Sequence, residues 1–105
     1  MEKYIHKVKY YECDRMGITH HSNYIRFMEE ARVDVLDQIG YGFEKMESDG
    51  YTSPVVSLSV EYKAPTTFQD EIEIEVFVKE ISTLKMTFGY EMKCRGKLVF
   101  RGSSV

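Results

Sequence analysis

The sequence predicts an α+β domain in which an antiparallel sheet wraps around one long helix, in the order β-α-β-β-β-β. Three observations carry this. Residues 22–39 repeat their apolar positions at threes and fours, the other regular stretches repeat theirs at twos, and the last strands are joined by short turns. A lone amphipathic helix must bury its stripe, and the apolar face of the sheet is the partner available to it.

Residues 4–12 alternate loosely, with Tyr4, His6, Val8 and Tyr10 on one side and Ile5, Lys7, Lys9 and Tyr11 on the other, the pattern of a strand. In residues 22–39, Tyr24, Phe27, Met28, Ala31, Val35 and Ile39 make one stripe while Arg26, Glu29, Arg32 and Asp37 take other faces. That helix is about 27 Å long at 1.5 Å per residue. Ser22 or Asn23 is the expected N-cap, accepting from an otherwise unpaired N–H, and Gly40 supplies the left-handed geometry past the C-terminus. Val56, Leu58, Val60 and Tyr62 then alternate with Ser57, Ser59, Glu61 and Lys63. Ile72, Ile74, Val76 and Val78 alternate with Glu71, Glu73, Glu75 and Lys79, so each strand is expected to have one buried and one wet face. Residues 83–94 give the cleanest alternation, with Leu84, Met86, Phe88, Tyr90, Met92 and Cys94 on one face. Ser82-Thr83 and Arg95-Gly96 are the expected turns of a meander ending in a strand at 97–101.

Pro54 and Pro65 stand singly at element boundaries, and no repeat, linker or low-complexity tract interrupts the chain, so residues 1–105 read as one domain. The chain stops at Arg-Gly-Ser-Ser-Val without the polar, turn-rich tail that usually closes a domain; the natural chain is expected to continue. Mean hydropathy of -0.37 and the lack of any stretch approaching about 20 apolar residues argue against a membrane span. The N-terminus MEKYIHKVKYYE has no apolar core of a secretory signal, so a cytoplasmic location is expected. Cys13 and Cys94 form no CxxC pair, which predicts free thiols and no zinc framework. A net charge of -3 and a pI near 5.6 disfavour a nucleic-acid partner.

Candidate chemistry concentrates in CDRMGITHHSNYIRFMEEAR, residues 13–32. Asp14 follows a strand and precedes the helix N-terminus, whose N–H groups and positive partial charge can stabilise an oxyanion. A carboxylate facing such donors can act as nucleophile or general base; the plainer alternative is an Asx-turn or a distal cap. Gly17 fits a turn closed to other residues. His20 and His21 are adjacent and are expected to point apart, so that one enters a site and the other is surface or cap. A metal cluster of Cys13, Asp14, a histidine, His6 or Cys94 lacks any ligand signature, so no metal is expected. Cys13 beside Glu12 and Asp14 should have a raised pKa, contrary to what a nucleophilic thiol needs. Glu29 and Glu30, near Arg26, Arg32 and Asp34, read as a solvated face with local ion pairs.

The run YYECDRMGITHHSNYIRFMEEAR resembles the N-terminal signature of the 4-hydroxybenzoyl-CoA thioesterase family of the hotdog-fold superfamily, in particular its YbgC-like acyl-CoA thioesterase branch. The matching positions are Asp14, Gly17, His21, Asn23, Tyr24, then Glu29 or Glu30, Ala31 and Arg32, and the likeness extends over nearly the whole chain in strand order. The resemblance implies a hotdog fold and hydrolysis of an acyl-CoA thioester. Asp14 would be nucleophile or general base, and a backbone N–H near His21 would polarise the carbonyl. It further implies that His21 orients Asp14 or water, that Gly17, Asn23, Tyr24 and Ser57 shape the substrate pocket, and that no cofactor is needed. Partners by the same likeness are acyl-CoA, or an acyl-carrier-protein thioester, and further copies of the chain in a homodimer or homotetramer. Two departures stand out. Glu12-Cys13-Asp14 replaces the family's frequent Asp-x-Asp, and Ser82, Thr83 and Leu84 stand where some members have a basic cluster for CoA phosphates. This leaves Lys63, Lys85 and Arg95 as candidates by charge. Other possible functions are a non-catalytic hotdog module that binds acyl-CoA or acyl carrier protein, and a hotdog dehydratase, which the Asp before the helix disfavours.

Overall fold

Alternating residues and one helical stripe resolve into a five-stranded antiparallel sheet with a helix across one face. The computed structural model describes residues 2–40, 48, 55–81 and 86–105. In chain order these form β1 (Tyr4–Lys7), a 3-10 turn (Tyr10–Glu12), α1 (Ser22–Gln38), β2 (Leu58–Tyr62), β3 (Glu71–Ile81), β4 (Met86–Cys94) and β5 (Lys97–Ser104). The strands lie in the order β1-β3-β4-β5-β2, every neighbouring pair antiparallel. The meander is therefore β3-β4-β5, and β2 crosses over to pair with β5 at the far edge.

Phe27, Met28, Ala31 and Val35 of α1 are buried against Ile72, Ile74, Tyr90, Met92 and Phe100 of the sheet. The expected stripe thus packs as read, except that Ile39 falls just beyond the helix and is 57% exposed. Gly40 has φ +77° and returns its N–H to the Asp37 carbonyl, the left-handed stop anticipated for it. Arg95 and Gly96 have φ of +52° and +77°, as a two-residue type I′ hairpin between β4 and β5 requires.

Other expectations need correction. The first strand ends at Lys7 rather than running to residue 12, because the chain tightens into the 3-10 turn and Glu12 turns inward. The strand expected at 97–101 continues to Ser104, held by pairing with both β4 and β2. β2 is less buried than expected: Val56, Leu58 and Tyr62 are 75%, 44% and 46% exposed and only Val60 packs partly against the core, since an edge strand is covered by α1 only in part. Pro54, the Ser82-Thr83 turn, Leu84 and Lys85 lie outside the described residues. Among the described residues, no helix is long and apolar enough to cross a membrane.

Candidate active site

Residues 13–19 fold into a closed tongue ahead of α1. Asp14 donates its N–H to the Ile18 carbonyl at 2.9 Å and accepts the Gly17 N–H at 3.0 Å, while its Oδ1 accepts the Met16 N–H at 2.8 Å. Gly17 turns this corner at φ +78°, and its carbonyl accepts the Thr67 hydroxyl at 2.8 Å. The tongue is tied to the segment after β2 by Thr19, which donates its N–H to the Thr66 carbonyl and pairs its hydroxyl with that of Thr66 at 2.7 Å. Tyr24 completes the clasp through a 2.8 Å bond to the Thr66 hydroxyl and a ring stacked on Phe100 at 5.2 Å. Burial pushes the Tyr24 phenol up, opposed by its bonds to Thr66 and Thr19.

The clasp places Asp14 at the mouth of α1. With Ile18, Thr19, His21 and Tyr24 it lines one side of a groove of about 380 Å³; Tyr62, Lys63, Ala64 and Pro65 line the other. Oδ1 of Asp14 makes the Asx-turn of the plainer alternative, and Oδ2 has no hydrogen-bond partner among the described residues.

The helix N-terminus differs from expectation in an instructive way. Neither Ser22 nor Asn23 is the N-cap. The Ser22 N–H goes to His20 Nδ1 at 3.2 Å, the Asn23 N–H to the His20 carbonyl and the Tyr24 N–H to the His21 carbonyl. His20 thus acts as the local acceptor, its Nδ1 also 2.8 Å from the Ser22 hydroxyl. Among the described residues, nothing accepts the His21 N–H. The two histidine rings do not point apart but stack at 4.2 Å, and the His21 ring meets Tyr62 edge-on at 6.1 Å. Tyr62 also donates its hydroxyl to the His21 carbonyl at 3.1 Å, linking β2 to the helix mouth.

The remaining sequence candidates separate. Asp14, His21 and Tyr24 come together, though no hydrogen bond joins the His21 ring to Asp14 among the described residues. Asn23 is buried with its amide on the Glu12 carbonyl at 2.9 Å, which braces the tongue from behind rather than lining the groove. Gly17 shapes the tongue without bordering the groove, and Ser57 sits on the exposed lead-in to β2, away from Asp14. Lys63 borders the groove, its ammonium 2.7 Å from Glu61; Arg95 is held by the buried Asp70 at 2.6 Å. Burial pushes the Cys13 thiol up, with Asp14 and Glu12 adding to it, as their adjacency in sequence implies.

Sequence reasoning missed one buried cluster behind the tongue. His6 Nε2 lies 2.8 Å from Glu12 Oε1 and His6 Nδ1 3.3 Å from Glu30 Oε2, while Tyr4 donates to the same Glu30 oxygen at 3.1 Å. Glu12 Oε1 also accepts the Lys9 N–H at 2.7 Å. Glu30 is thus a solvated carboxylate, as read, that also reaches a buried histidine. His6 on the inward face of β1 was the available signal.

A description of a thioesterase-like superfamily matches residues 8–105. The chain belongs to that superfamily. It is 38% identical over 87 residues to a putative esterase of Aquifex aeolicus, covering 83% of this chain and 68% of the relative. It is 31% identical over 86 residues to the putative acyl-CoA thioesterase YneP of Bacillus subtilis, covering 82% of this chain and 62% of that one. Among solved structures, a hypothetical protein from Thermus thermophilus superposes with a TM-score of 0.93 at 34% identity, over 98% of this chain and 79% of that one. A DHNA-CoA thioesterase from Staphylococcus aureus superposes with a TM-score of 0.92 at 31% identity, over 98% and 70%. One helix on a five-stranded antiparallel sheet is here the hotdog fold of thioesterases.

Proposed function

We propose that this thioesterase-superfamily chain hydrolyses acyl-CoA thioesters to the free acid and CoA. The observation that carries the proposal is the shared groove of Asp14 and the helix mouth, with Oδ2 of Asp14 and the N–H of His21 both without protein partners among the described residues. The thioester carbonyl sits at the N-terminus of α1, where the His21 N–H and the positive end of the helix stabilise the oxyanion. Asp14 then acts in one of two ways. As nucleophile, Oδ2 bonds to the carbonyl carbon, the C–S bond breaks, CoA leaves as thiolate and takes a proton, and water cleaves the resulting anhydride. As general base, Oδ2 takes a proton from water while its oxygen attacks, and the same C–S bond breaks. Single turnover in isotopically labelled water separates them, because only the first passes label through the Asp14 carboxyl.

The groove suits the substrate's charge. Lys63 stands at its rim for a phosphorylated carrier, whereas the larger open depression of about 630 Å³ along α1 carries four carboxylates, Glu29, Glu30, Asp34 and Asp37, against the one cation Arg26, a balance that would repel phosphates. Tyr24 shapes the groove wall, His21 orients water beside Asp14, and Gly17 and Asn23 hold the tongue that presents the carboxylate. The active form is a homodimer or homotetramer; the unpaired edge of β2, with Leu58 and Tyr62 half exposed on it and Val56 exposed just ahead of it, supports this. In that assembly Ser57 reaches substrate through the subunit interface.

A panel of aliphatic and aromatic acyl-CoA esters, with acyl-carrier-protein thioesters beside them, tests the proposal by free-thiol release. Turnover is expected with at least one CoA ester. Binding without turnover of any thioester would instead favour a non-catalytic module.

A further inference from the structure

Glu12 is a surface type of residue in a buried place. It is 5% exposed at the end of the 3-10 turn, and contacts from four separate points of the chain converge on it. Its Oε1 accepts the Lys9 N–H at 2.7 Å and lies 2.8 Å from His6 Nε2, while its carbonyl accepts the His20 N–H and the Asn23 side-chain amide, each at 2.9 Å. A glutamate is rarely buried to this degree unless it is paired, and two donors use both lone pairs of the carbonyl. The side chain is thus fixed to β1 and the turn, and the backbone to α1.

These contacts do what the tongue's own bonds cannot. The bonds of Asp14 to Met16, Gly17 and Ile18 close residues 14–18 on themselves and set the shape of the tongue, not its distance from the helix. From the front, Thr66 holds Thr19 and Tyr24. From behind, Glu12 joins the tongue to α1 two residues ahead of Asp14, within about 7 Å of chain. His6 carries the link back to the helix, its Nδ1 3.3 Å from Glu30 Oε2 and its ring tilted against Phe27. The helix is therefore gripped at Asn23 and again at Glu30, roughly 10 Å apart along its axis at 1.5 Å per residue. Two such points fix its slide and its tilt against the loop that carries Asp14.

We propose that Glu12, locked in place by His6, is a positioning residue of the hydrolytic site, its carbonyl setting where Asp14 Oδ2 stands relative to the mouth of α1. The role rests on the hydrolytic reading of the groove. Glu12 does not border the groove, so it acts only through Asp14 and the helix N-terminus. Reaction depends steeply on geometry, a misplacement of about 1 Å costing up to about a hundredfold, so loss of this brace is read in turnover rather than in substrate affinity. What Glu12 supplies is an acceptor oxygen at the place of Oε1, not a charge.

The kcat and KM of Glu12→Ala, Glu12→Gln and Asn23→Ala on the best acyl-CoA ester, beside the parent and Asp14→Asn, test this, together with backbone amide NMR shifts of each variant without substrate. Glu12→Ala is expected to lose about tenfold or more in kcat with KM within about threefold of the parent. Glu12→Gln keeps the oxygen that Lys9 and His6 meet, and should stay within about threefold in both. Asn23→Ala cuts one link to α1 and leaves the buried side chain of Glu12 paired, so it carries the test even if Glu12→Ala does not fold; its kcat should fall about fivefold or more at an unchanged KM. The Gly17 N–H, bonded within the tongue to the Asp14 carbonyl, should shift in Glu12→Ala and Asn23→Ala but not in Glu12→Gln, while the Val76 N–H of β3 stays in place in all three. Unchanged kcat in the folded Glu12→Ala or Asn23→Ala protein, with Asp14→Asn inactive, would overturn the role. So would equal losses of kcat in Glu12→Gln and Glu12→Ala, a rise in KM alone, or an unmoved Gly17 N–H. No turnover by the parent, or turnover kept in Asp14→Asn, would overturn the hydrolytic reading itself and the role with it.

Discussion

Asp14 Oδ1 accepts the Met16 N–H at 2.8 Å, so the carboxylate that faces the groove also closes the turn that carries it. One oxygen is structural and the other is available for chemistry. Stability and activity should therefore respond differently to changes at this residue. Asp14→Ala removes the acceptor and should lower stability by about 1 kcal/mol, while Asp14→Asn keeps an acceptor oxygen and should stay within a few tenths of the parent. Chemical denaturation of the two variants checks this; equal losses would mean that the turn does not depend on Oδ1.

His6, its ring tilted against Phe27 at a centroid distance of 4.0 Å and set between Glu12 and Glu30, pins β1 and the 3-10 turn to α1. His6→Ala leaves the buried Glu12 without its side-chain partner and opens a void beside Phe27. It should cost about 3 kcal/mol. Glu30→Gln, whose site is more exposed, should cost less than 1 kcal/mol. Urea unfolding midpoints measure both, and a His6 variant near parental stability would show that the cluster is incidental.

Alkali should destabilise the fold gradually. Burial, with carboxylates adding, raises the Cys13 thiol; burial likewise raises Cys94; and Tyr4 is pushed up to about 12 by burial and by Glu30. Each group keeps its proton in the folded chain at a pH where the unfolded chain has lost it. The associated stability is complete below the unfolded thiol value of about 8.5 and is lost as pH rises through the folded values. The thermal midpoint should therefore fall above about pH 8.5, iodoacetamide should label the folded thiols slowly at neutral pH, and one phenol should titrate near 12 in ultraviolet difference spectra. A midpoint that rises between pH 8 and 11 would contradict this.

The open edge of β2 makes the assembly measurable. Light scattering should return a mass two or four times 12.3 kDa. A monomer with full turnover would contradict the placing of the active form in a homo-oligomer.

Much of the fold was legible because local periodicity reports burial directly: the α1 stripe and the alternation of Phe88, Tyr90, Met92 and Cys94 both face the core. The exposure of Leu58 and Tyr62 was not legible, because a strand's pattern does not say whether it ends up under the helix or at an edge. Glu12 reads as a surface charge, and its inward turn depends on His6 and Lys9 arriving together. His20 escaped as the acceptor for the Ser22 N–H because histidine is an uncommon residue in that role. In the site, Asp14, His21 and Tyr24 were near one another in sequence. Lys63 and Pro65 reach the same groove only through the long-range clasp of Thr66 with Thr19 and Tyr24.

The central claim is that Asp14 performs the chemistry at the mouth of α1. Its most direct test is kcat of Asp14→Asn on the best acyl-CoA ester, measured beside the circular dichroism and unfolding midpoint of the same preparation. A loss of about a hundred- to ten-thousand-fold with the fold intact is predicted. Unchanged turnover in a folded Asp14→Asn protein would contradict the mechanism.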